Sequence, residues 1–541
     1  MNYHWSASSQ SAFSMLQLLP LFLCCLNSFS FPVSASPSPS ASFLKCLSIS
    51  KIPEHQLANI TYTPKSTNYT SVLQDYIRNS RFNTSSTPKP ALIFTPFLES
   101  QVQEIVKCSK ESGIQLTIRS GGHDYEALSY TSKNPFVILD LFNLRSIAIN
   151  LEDETAWVEA GATTGELYYA IWQKSKVHAF PSGVCTTLGI GGHFSGGGYG
   201  NLLRKFGLSV DNVVDAKIVD ANGRILDRKG MGEDLFWAIR GGGGASFGVV
   251  LAYKINLVRV PPTVTVFQVT KTLEENATDL VYQWQYIADK FDRDLFVRAF
   301  LQTYAGEKNK TSVRVSFIAL FLGDADKLVS LVKSNFPELG LKKEDCKEIS
   351  WIQSVLFFAG YPDGTPETTL LVRKTTSPSA SKMKSDYVRT PIPKDGLREA
   401  VKRLAESGNI WMQFNPYGGK MSEIPESALP FPHRAGVIFK IQYLVIWNEA
   451  GPAVDQSNID KLREFYKFMT PYVSKNPREA FLNYRDIDIG STDNGNDAYN
   501  QGKVYGIKYF KGNFDRLVQV KTKVDPTNLF RNEQSIPLLR K

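Results

Sequence analysis

The stretch from Gly183 to Asn212, GVCTTLGIGGHFSGGGYGNLLRKFGLSVDN, constrains the fold of this chain more than any other: seven glycines crowd into the fifteen residues after Cys185. Glycine costs backbone entropy on folding and adds nothing to a core, so such density belongs where backbone approaches something closely. A pyrophosphate and a flat ring system both demand that approach, and a lone cysteine beside them points to covalent attachment. Upstream, Arg119-Ser120-Gly121-Gly122-His123-Asp124-Tyr125 places a histidine after a second glycine pair. A dinucleotide fingerprint needs GxGxxG directly between a strand and a helix. Neither this spacing nor Gly241-Gly242-Gly243-Gly244 supplies it, so a nicotinamide-dinucleotide site is excluded.

A chain of 541 residues exceeds what one hydrophobic core organises, and 43% hydrophobic with 12% aromatic residues excludes bulk disorder. The formal charge is +9, and no charged residue precedes Lys45. The basic residues are dispersed and no recognition motif accompanies them, which excludes a nucleic-acid partner. The apolar run Met15 to Leu26 is too short to span a bilayer and fits a signal sequence, so no membrane span is expected and cleavage is placed after Ala35, with Ala41 as the other candidate. Cys24 and Cys25 leave with that segment, and Cys46, Cys108, Cys185 and Cys346 remain. Glycosylation sequons stand at Asn59, Asn68, Asn83, Asn276 and Asn309.

From Lys89 to Val260 short apolar strands alternate with helical stretches. ALIFTP, QLTIRS, FVILDL and AWVEAGAT read as strands, and VVDAKIVDANGRIL reads as a hairpin through Ala221-Asn222-Gly223. Ser100 to Ser112 and Thr164 to Ser175 read as helices. Pro261-Pro262 marks a boundary. Beyond it, helices are expected at Ala277 to Phe291 and Asp324 to Ser334. The late strand GVIFKIQYLVIW puts Lys440, Gln442 and Leu444 on one face by alternation.

RSGGHDY followed by GVCTTLGIGGHFSGGGYG resembles the plant berberine bridge enzyme-like flavoproteins, a branch of the vanillyl-alcohol oxidase superfamily. The resemblance runs from FLKC at Cys46 to VDPTNLFRNEQSIP near the C-terminus. It implies an α+β fold: a two-subdomain FAD-binding domain and a substrate domain whose antiparallel sheet is covered by helices. The expected divisions are a signal peptide (1–35), an N-terminal segment (36–88), the FAD-binding domain (89–262), the substrate domain (263–481) and a C-terminal segment returning to the FAD domain (482–541). The resemblance also implies FAD bound covalently through both His123 and Cys185, with Arg119, Ser120, Gly121, Gly122, Leu188, Gly191, Gly192, His193 and Gly196 around it, and a Cys46–Cys108 disulfide. No metal is expected. The protein is expected to be a secreted monomer of the plant cell wall, where its positive charge favours association with anionic pectin.

Tyr125, Tyr199, Lys440, Gln442 and Tyr484 form the catalytic set that the resemblance places at the flavin. A phenol is a poor base near pKa 10, and a neighbouring ammonium lowers it. Lys440 is expected to do this for Tyr199, so that the phenolate takes a substrate hydroxyl proton while hydride passes to flavin N5. Gln442 and Tyr125 orient the substrate. Berberine bridge enzyme has a catalytic glutamate where this chain has Gln442, which argues against alkaloid bridge formation. Leu188 stands where a valine goes with fast oxygen reaction in the family, so a dehydrogenase-like enzyme is expected. The leading substrate reading is an allylic aromatic alcohol of the monolignol type. Oxidation of oligosaccharide reducing ends, oxidative cyclisation or pericyclic chemistry on a phenolic metabolite, and a non-enzymatic storage or allergen role are the alternatives.

Overall fold

The apolar runs on either side of the RSGGHDY segment become a small sheet buried on both faces. The computed structural model describes residues 38–306, 310–374 and 378–539. The expected signal segment, its two cysteines and Asn309 lie outside the described residues. Strands Leu92–Phe94, Phe136–Asp140 and Gln115–Arg119 pair in parallel in that order, and Thr61–Tyr62 joins antiparallel at the edge. The helix Glu99–Ser112 crosses over between two of them, as parallel pairing requires. Its Cys108 is bonded to Cys46 of the helix Pro39–Ser48, with the Cα atoms 5.5 Å apart. The carboxyl end of Gln115–Arg119 runs directly into Ser120-Gly121-Gly122-His123, where open α/β sheets characteristically receive ligands.

A second, antiparallel sheet runs in the order Ile147–Asn150, Thr155–Glu159, Val249–Asn256, Val213–Val219, Ile225–Leu226. Its last two strands are the hairpin read from the sequence, turned at Gly223 with φ +72°. The glycine-dense stretch contains a helix that periodicity does not reveal, Ile190–Ser195.

The third sheet has seven antiparallel strands, in the order Cys346–Ile349, Val264–Thr272, Thr311–Phe321, Leu295–Ala305, Ile410–Pro416, Phe439–Trp447, Ala380–Val388. Helices Ala277–Trp284, Ala325–Asn335, Lys394–Ser407 and Pro452–Phe468 cover one face, burying Leu280, Trp284, Leu328, Leu404 and Leu462 against it. The helix expected to reach Phe291 ends at Trp284, and the chain continues in turns. The other face carries polar side chains, among them Arg298, Gln413 and Gln442, toward the first two sheets.

The C-terminal helices Ala498–Phe510 and Phe514–Val524 pack with Leu235, Phe236 and Tyr253 in the core of the second sheet. Fully buried Lys521 pairs with Asp525 at 2.6 Å and donates to the carbonyls of Ser246 (2.8 Å) and Phe530 (2.6 Å). This ties the segment to the glycine run before Ser246. Of the sequons, Asn59, Asn68, Asn83 and Asn276 are exposed.

Glu479, just before the segment, ties it to Arg389, next to the edge strand Ala380–Val388, and to His433. Its carboxylate takes both arms of Arg389 (3.0 and 3.2 Å) and lies 3.0 Å from His433 Nδ1. Burial alone raises its pKa, but the His433 contact and the Arg389 fork outweigh burial and bring it down to about 2. A depressed folded-state pKa stabilises above the unfolded value and is lost as pH falls through the folded one. The stability gap between wild type and Glu479→Gln is therefore expected at about 3 kcal/mol near neutrality, narrowing below about pH 5 and closing toward pH 2, as read by urea unfolding at stepped pH.

Candidate active site

Where the two glycine segments meet, backbone touches backbone. A Cβ on Gly121 would lie 2.3 Å from the amide nitrogen of Gly189, and one on Gly189 would lie 2.1 Å from Ser120 Oγ. Ser120 Oγ donates to the Ala160 carbonyl at 2.6 Å and so pins this crossing to the second sheet. A Cβ on Gly192 would meet nothing within 4 Å, because Gly192 faces open space. That space is a cavity of about 450 Å³. It runs from Gly121, Gly122, Gly191, Gly192 and Gly196 past Gly242–Gly244 and out to Arg298, Gln413 and Gln442 of the third sheet. Its size falls in the range of cofactor and ligand sites. A glycine-lined floor that ends in a polar, tyrosine-rich chamber fits a long cofactor carrying a flat ring.

His123 and Cys185 both line the cavity, and one hydroxyl stands between them. Thr187 Oγ1 is 2.8 Å from His123 Nε2 and 3.6 Å from Cys185 Sγ. Burial first, then the charges of Arg78 and His193, hold the His123 imidazole down to about 3, against a backbone hydrogen bond at Thr187 that raises it. The ring is neutral through the mildly acidic range, with a lone pair available. His193, also lowered to about 3 by burial and then by Lys440, accepts the Gly183 amide at 3.0 Å through Nε2 and so anchors the turn that presents Cys185. Asn483 of the C-terminal segment donates to the His193 carbonyl at 3.0 Å, and its Oδ1 lies where a Gly196 Cβ would stand.

In the chamber, Tyr125 and Tyr484 stack with centroids 5.6 Å apart, and Gln442 Nε2 donates to the Tyr125 hydroxyl at 2.8 Å. Lys440 is buried under three rings. Its Nζ lies 3.8 Å from the centroid of Tyr199, 4.0 Å from Phe481 and 4.1 Å from Tyr484, and has no hydrogen-bond partner. The Tyr199 hydroxyl also lacks a partner in hydrogen-bond geometry. Tyr199 and Arg298 line the chamber, while Lys440 lies behind the rings and does not.

The electrostatics correct one expectation. Lys440 does not make Tyr199 a resting phenolate: burial lifts the phenol up to about 12, and the cation that pulls it back is Arg298. Lys440 is itself pushed well below its ordinary range, by burial and then by Arg298. Each group resists charge where it stands. Arg119 is a second correction. It does not reach the cavity, because its guanidinium is buried against Asp140 (2.6 Å) and the carbonyls of Val72 and Leu73. It holds the strand end that presents Ser120 to His123. Sequence reasoning missed Arg298, Gln413 and Thr187. Arg298 had a signal, a lone cation in the apolar strand LFVRAF.

With this geometry in place, comparison with known proteins is decisive. The family model described as an FAD binding domain matches residues 90–228, and the one described as berberine and berberine like matches residues 480–537. Berberine bridge enzyme-like 21 of Arabidopsis thaliana is 54% identical over 523 residues, spanning 95% of this chain and 97% of its own. The chain belongs to the berberine bridge enzyme-like family of FAD-dependent oxidoreductases. Among solved structures, berberine bridge enzyme-like 28 from Arabidopsis thaliana is 47% identical with a TM-score of 0.87, covering 92% of this chain and 100% of that one. Phl p 4, a grass pollen allergen with glucose dehydrogenase activity, is 46% identical with the same coverage and TM-score. The berberine bridge enzyme-like fold thus accounts for both glycine segments and for the C-terminal segment that closes on them.

Two alanine substitutions separate the roles of the glycines. Gly121→Ala is expected to cost about 3 kcal/mol, since its Cβ meets backbone that cannot yield. Gly192→Ala leaves the apoprotein's unfolding midpoint at or above wild type but lowers bound flavin, because the methyl points into the cavity. Calorimetry and the flavin-to-protein absorbance ratio check both.

Proposed function

We propose that this protein is a secreted dehydrogenase that oxidises the reducing end of a cell-wall carbohydrate, carrying FAD attached through both His123 and Cys185. FAD bound along the glycine floor supplies the acceptor for the hydride that leaves the carbinol carbon. The observation that carries the substrate assignment is the row of amides and one guanidinium on the sheet. Gln413 donates to Asn415 (3.1 Å), Gln442 to Tyr125 (2.8 Å), and Arg298 to Asn415 (3.0 Å) and Asn201 (3.3 Å). Such a row reads several hydroxyl groups at once, as a sugar presents them, and the stacked tyrosines offer a sugar ring a flat face. The glucose dehydrogenase activity of Phl p 4 supports the same reading.

Tyr199 first loses its own phenolic proton to solvent; the phenolate, its ring under Lys440 Nζ and its oxygen near the Arg298 guanidinium, then accepts the proton of the reacting hydroxyl and returns to the neutral phenol. Gln442 holds the Tyr125 hydroxyl toward the substrate and fixes which hydroxyl reaches Tyr199. Positive net charge and exposed sequons support a glycosylated protein retained on anionic wall polymers.

An aromatic allylic alcohol is the second reading, and the stacked Tyr125–Tyr484 pair favours it. Anaerobic bleaching of the flavin band by cellobiose and by coniferyl alcohol, run side by side, decides: the sugar is expected to bleach it and the alcohol to act at least tenfold more slowly. Bleaching by the alcohol alone sinks the carbohydrate reading. Leu188 lines the cavity. An isoleucine-to-valine variant of Phl p 4 is a glucose oxidase. Leu188→Val is expected to raise flavin reoxidation by dioxygen about a hundredfold in stopped flow, and an unchanged rate contradicts this placement of Leu188.

A further inference from the structure

Tyr125 and Tyr484 come from opposite ends of the chain, yet they stack within 24° of parallel. Ring stacking between aromatic side chains contributes only about 1 kcal/mol, too little to fix two loops in register. The residues that flank the two tyrosines are charged and drawn inward. Asp124 precedes Tyr125 and Glu126 follows it; Arg485 and Asp486 follow Tyr484.

Two ionic bridges connect these flanks. Asp124 Oδ2 pairs with Arg485 Nε at 2.7 Å, while its Oδ1 accepts the amides of Glu126 (3.0 Å) and Leu128 (3.2 Å), fixing the turn that carries Tyr125. The second bridge passes through Lys382. Its ammonium pairs with Glu126 and, at 2.7 Å, with Asp486. Glu126, Lys382 and Asp486 side chains are 1%, 2% and 3% exposed, so solvent does not screen this bridge. Lys382 sits on Ala380–Val388, the edge strand of the seven-stranded sheet, and its strand neighbour Met383 lines the cavity. Lys384, two residues on, pairs with Asp486 at 2.6 Å and Asp488 at 2.8 Å; Arg463 closes on Asp488 at 2.7 Å and Arg81 on Glu126 at 3.0 Å.

We propose that these two bridges, Asp124–Arg485 and Glu126–Lys382–Asp486, form a clamp that holds Tyr125 and Tyr484 in register over the substrate, with Lys382 as its central positioning residue. Asp124 and Arg485 lie on the cavity wall, whereas Glu126, Lys382 and Asp486 do not line the cavity, so the Lys382 bridge reaches the tyrosines from outside. The clamp fastens three separate parts to one another: the loop after the first sheet, the C-terminal segment and the edge strand of the substrate sheet. Removing Lys382 leaves Glu126 and Asp486 as buried carboxylates without their shared cation, and the two loops part. The reaction it serves is the carbinol oxidation proposed above, but the clamp stands for either alcohol class.

The test is a double-mutant cycle on the flavin-loaded enzyme. Anaerobic flavin reduction is followed against concentration of cellobiose or of coniferyl alcohol, whichever bleaches the flavin, giving a dissociation constant and a limiting rate. Lys382→Met and Tyr125→Ala are each expected to raise the dissociation constant about tenfold, and the double variant about tenfold rather than a hundredfold, because both remove the same ordered ring. Lys382→Arg is expected to recover at least half of the loss on a logarithmic scale. The near-ultraviolet circular dichroism of Lys382→Met should shift toward that of Tyr125→Ala, a readout that needs no turnover. Losses that multiply in the double variant, or Lys382→Met binding substrate as wild type does, overturn the clamp. If Lys382→Met does not yield folded holoenzyme, Glu126→Gln weakens the same bridge from outside the cavity and takes its place in the cycle. Failure of cellobiose to bleach the flavin rejects the carbohydrate reading while leaving the cycle to run on the aromatic alcohol.

Discussion

A lysine amino group buried without a hydrogen-bond partner is the constraint on which the rest of this structure depends. Burying an unpaired charge is costly enough that the group ordinarily shifts toward neutrality. Here the faces of Tyr199, Phe481 and Tyr484 are all that Lys440 meets. Cation–π attraction compensates for part of the lost hydration and strengthens where water is excluded. The three rings and the cation arrive from different places. Tyr199 closes the glycine-dense stretch, Phe481 and Tyr484 come from the C-terminal segment, and Lys440 comes from the seven-stranded sheet. The chamber exists only when all three parts are assembled, so the fold's assembly and its chemistry are one requirement.

The parts meet through interactions suited to their positions. At the floor, backbone lies against backbone at Gly121 and Gly189, which leaves room for a cofactor where side chains would fill it. Around the chamber, buried ion pairs set loop positions: Arg119 with Asp140 under the histidine strand, Lys521 with Asp525 behind Ser246, and the Lys382 bridges behind the stacked tyrosines. Buried pairs of this kind contribute little net stability compared with apolar packing, but they tolerate few alternative arrangements. At the chamber wall and just behind it the pattern reverses, and Tyr199 and Lys440 are left without hydrogen bonds.

The cofactor half was the more legible part of this chain. Glycine density, with a histidine after one pair and a cysteine before the other run, survives in sequence because each glycine answers a local steric demand. Strand alternation likewise placed Lys440 and Gln442 on one face; the structure brings Gln442 to the chamber wall and Lys440 behind the rings of Tyr199, Phe481 and Tyr484. Arg298 and Gln413 escaped because they lie on strands paired only through long-range register, Phe300 opposite Gln413, and no local pattern announces which face meets the cavity. Arg119 misled for the opposite reason: it stands inside the RSGGHDY motif, yet alternation along Gln115–Arg119 turns it toward Asp140. The effect of Lys440 on Tyr199 was misjudged because a sequence reports neighbours and not desolvation, and burial here outweighs the neighbour. Lys382 gave no sign at all, since its partners Glu126 and Asp486 lie 256 and 104 residues away.

The central claim is that Tyr199 and Lys440 take up charge together, and the pH dependence of the limiting rate of anaerobic flavin reduction tests it most directly. In wild type the rate should rise to a plateau with an apparent pKa well below the value of about 12 that burial gives the phenol. In Lys440→Met the rise should move upward by at least about one unit, with the neutral-pH rate falling about a hundredfold. An unshifted rise in Lys440→Met would show that the lysine does not share the charge, and the account of the chamber would be wrong.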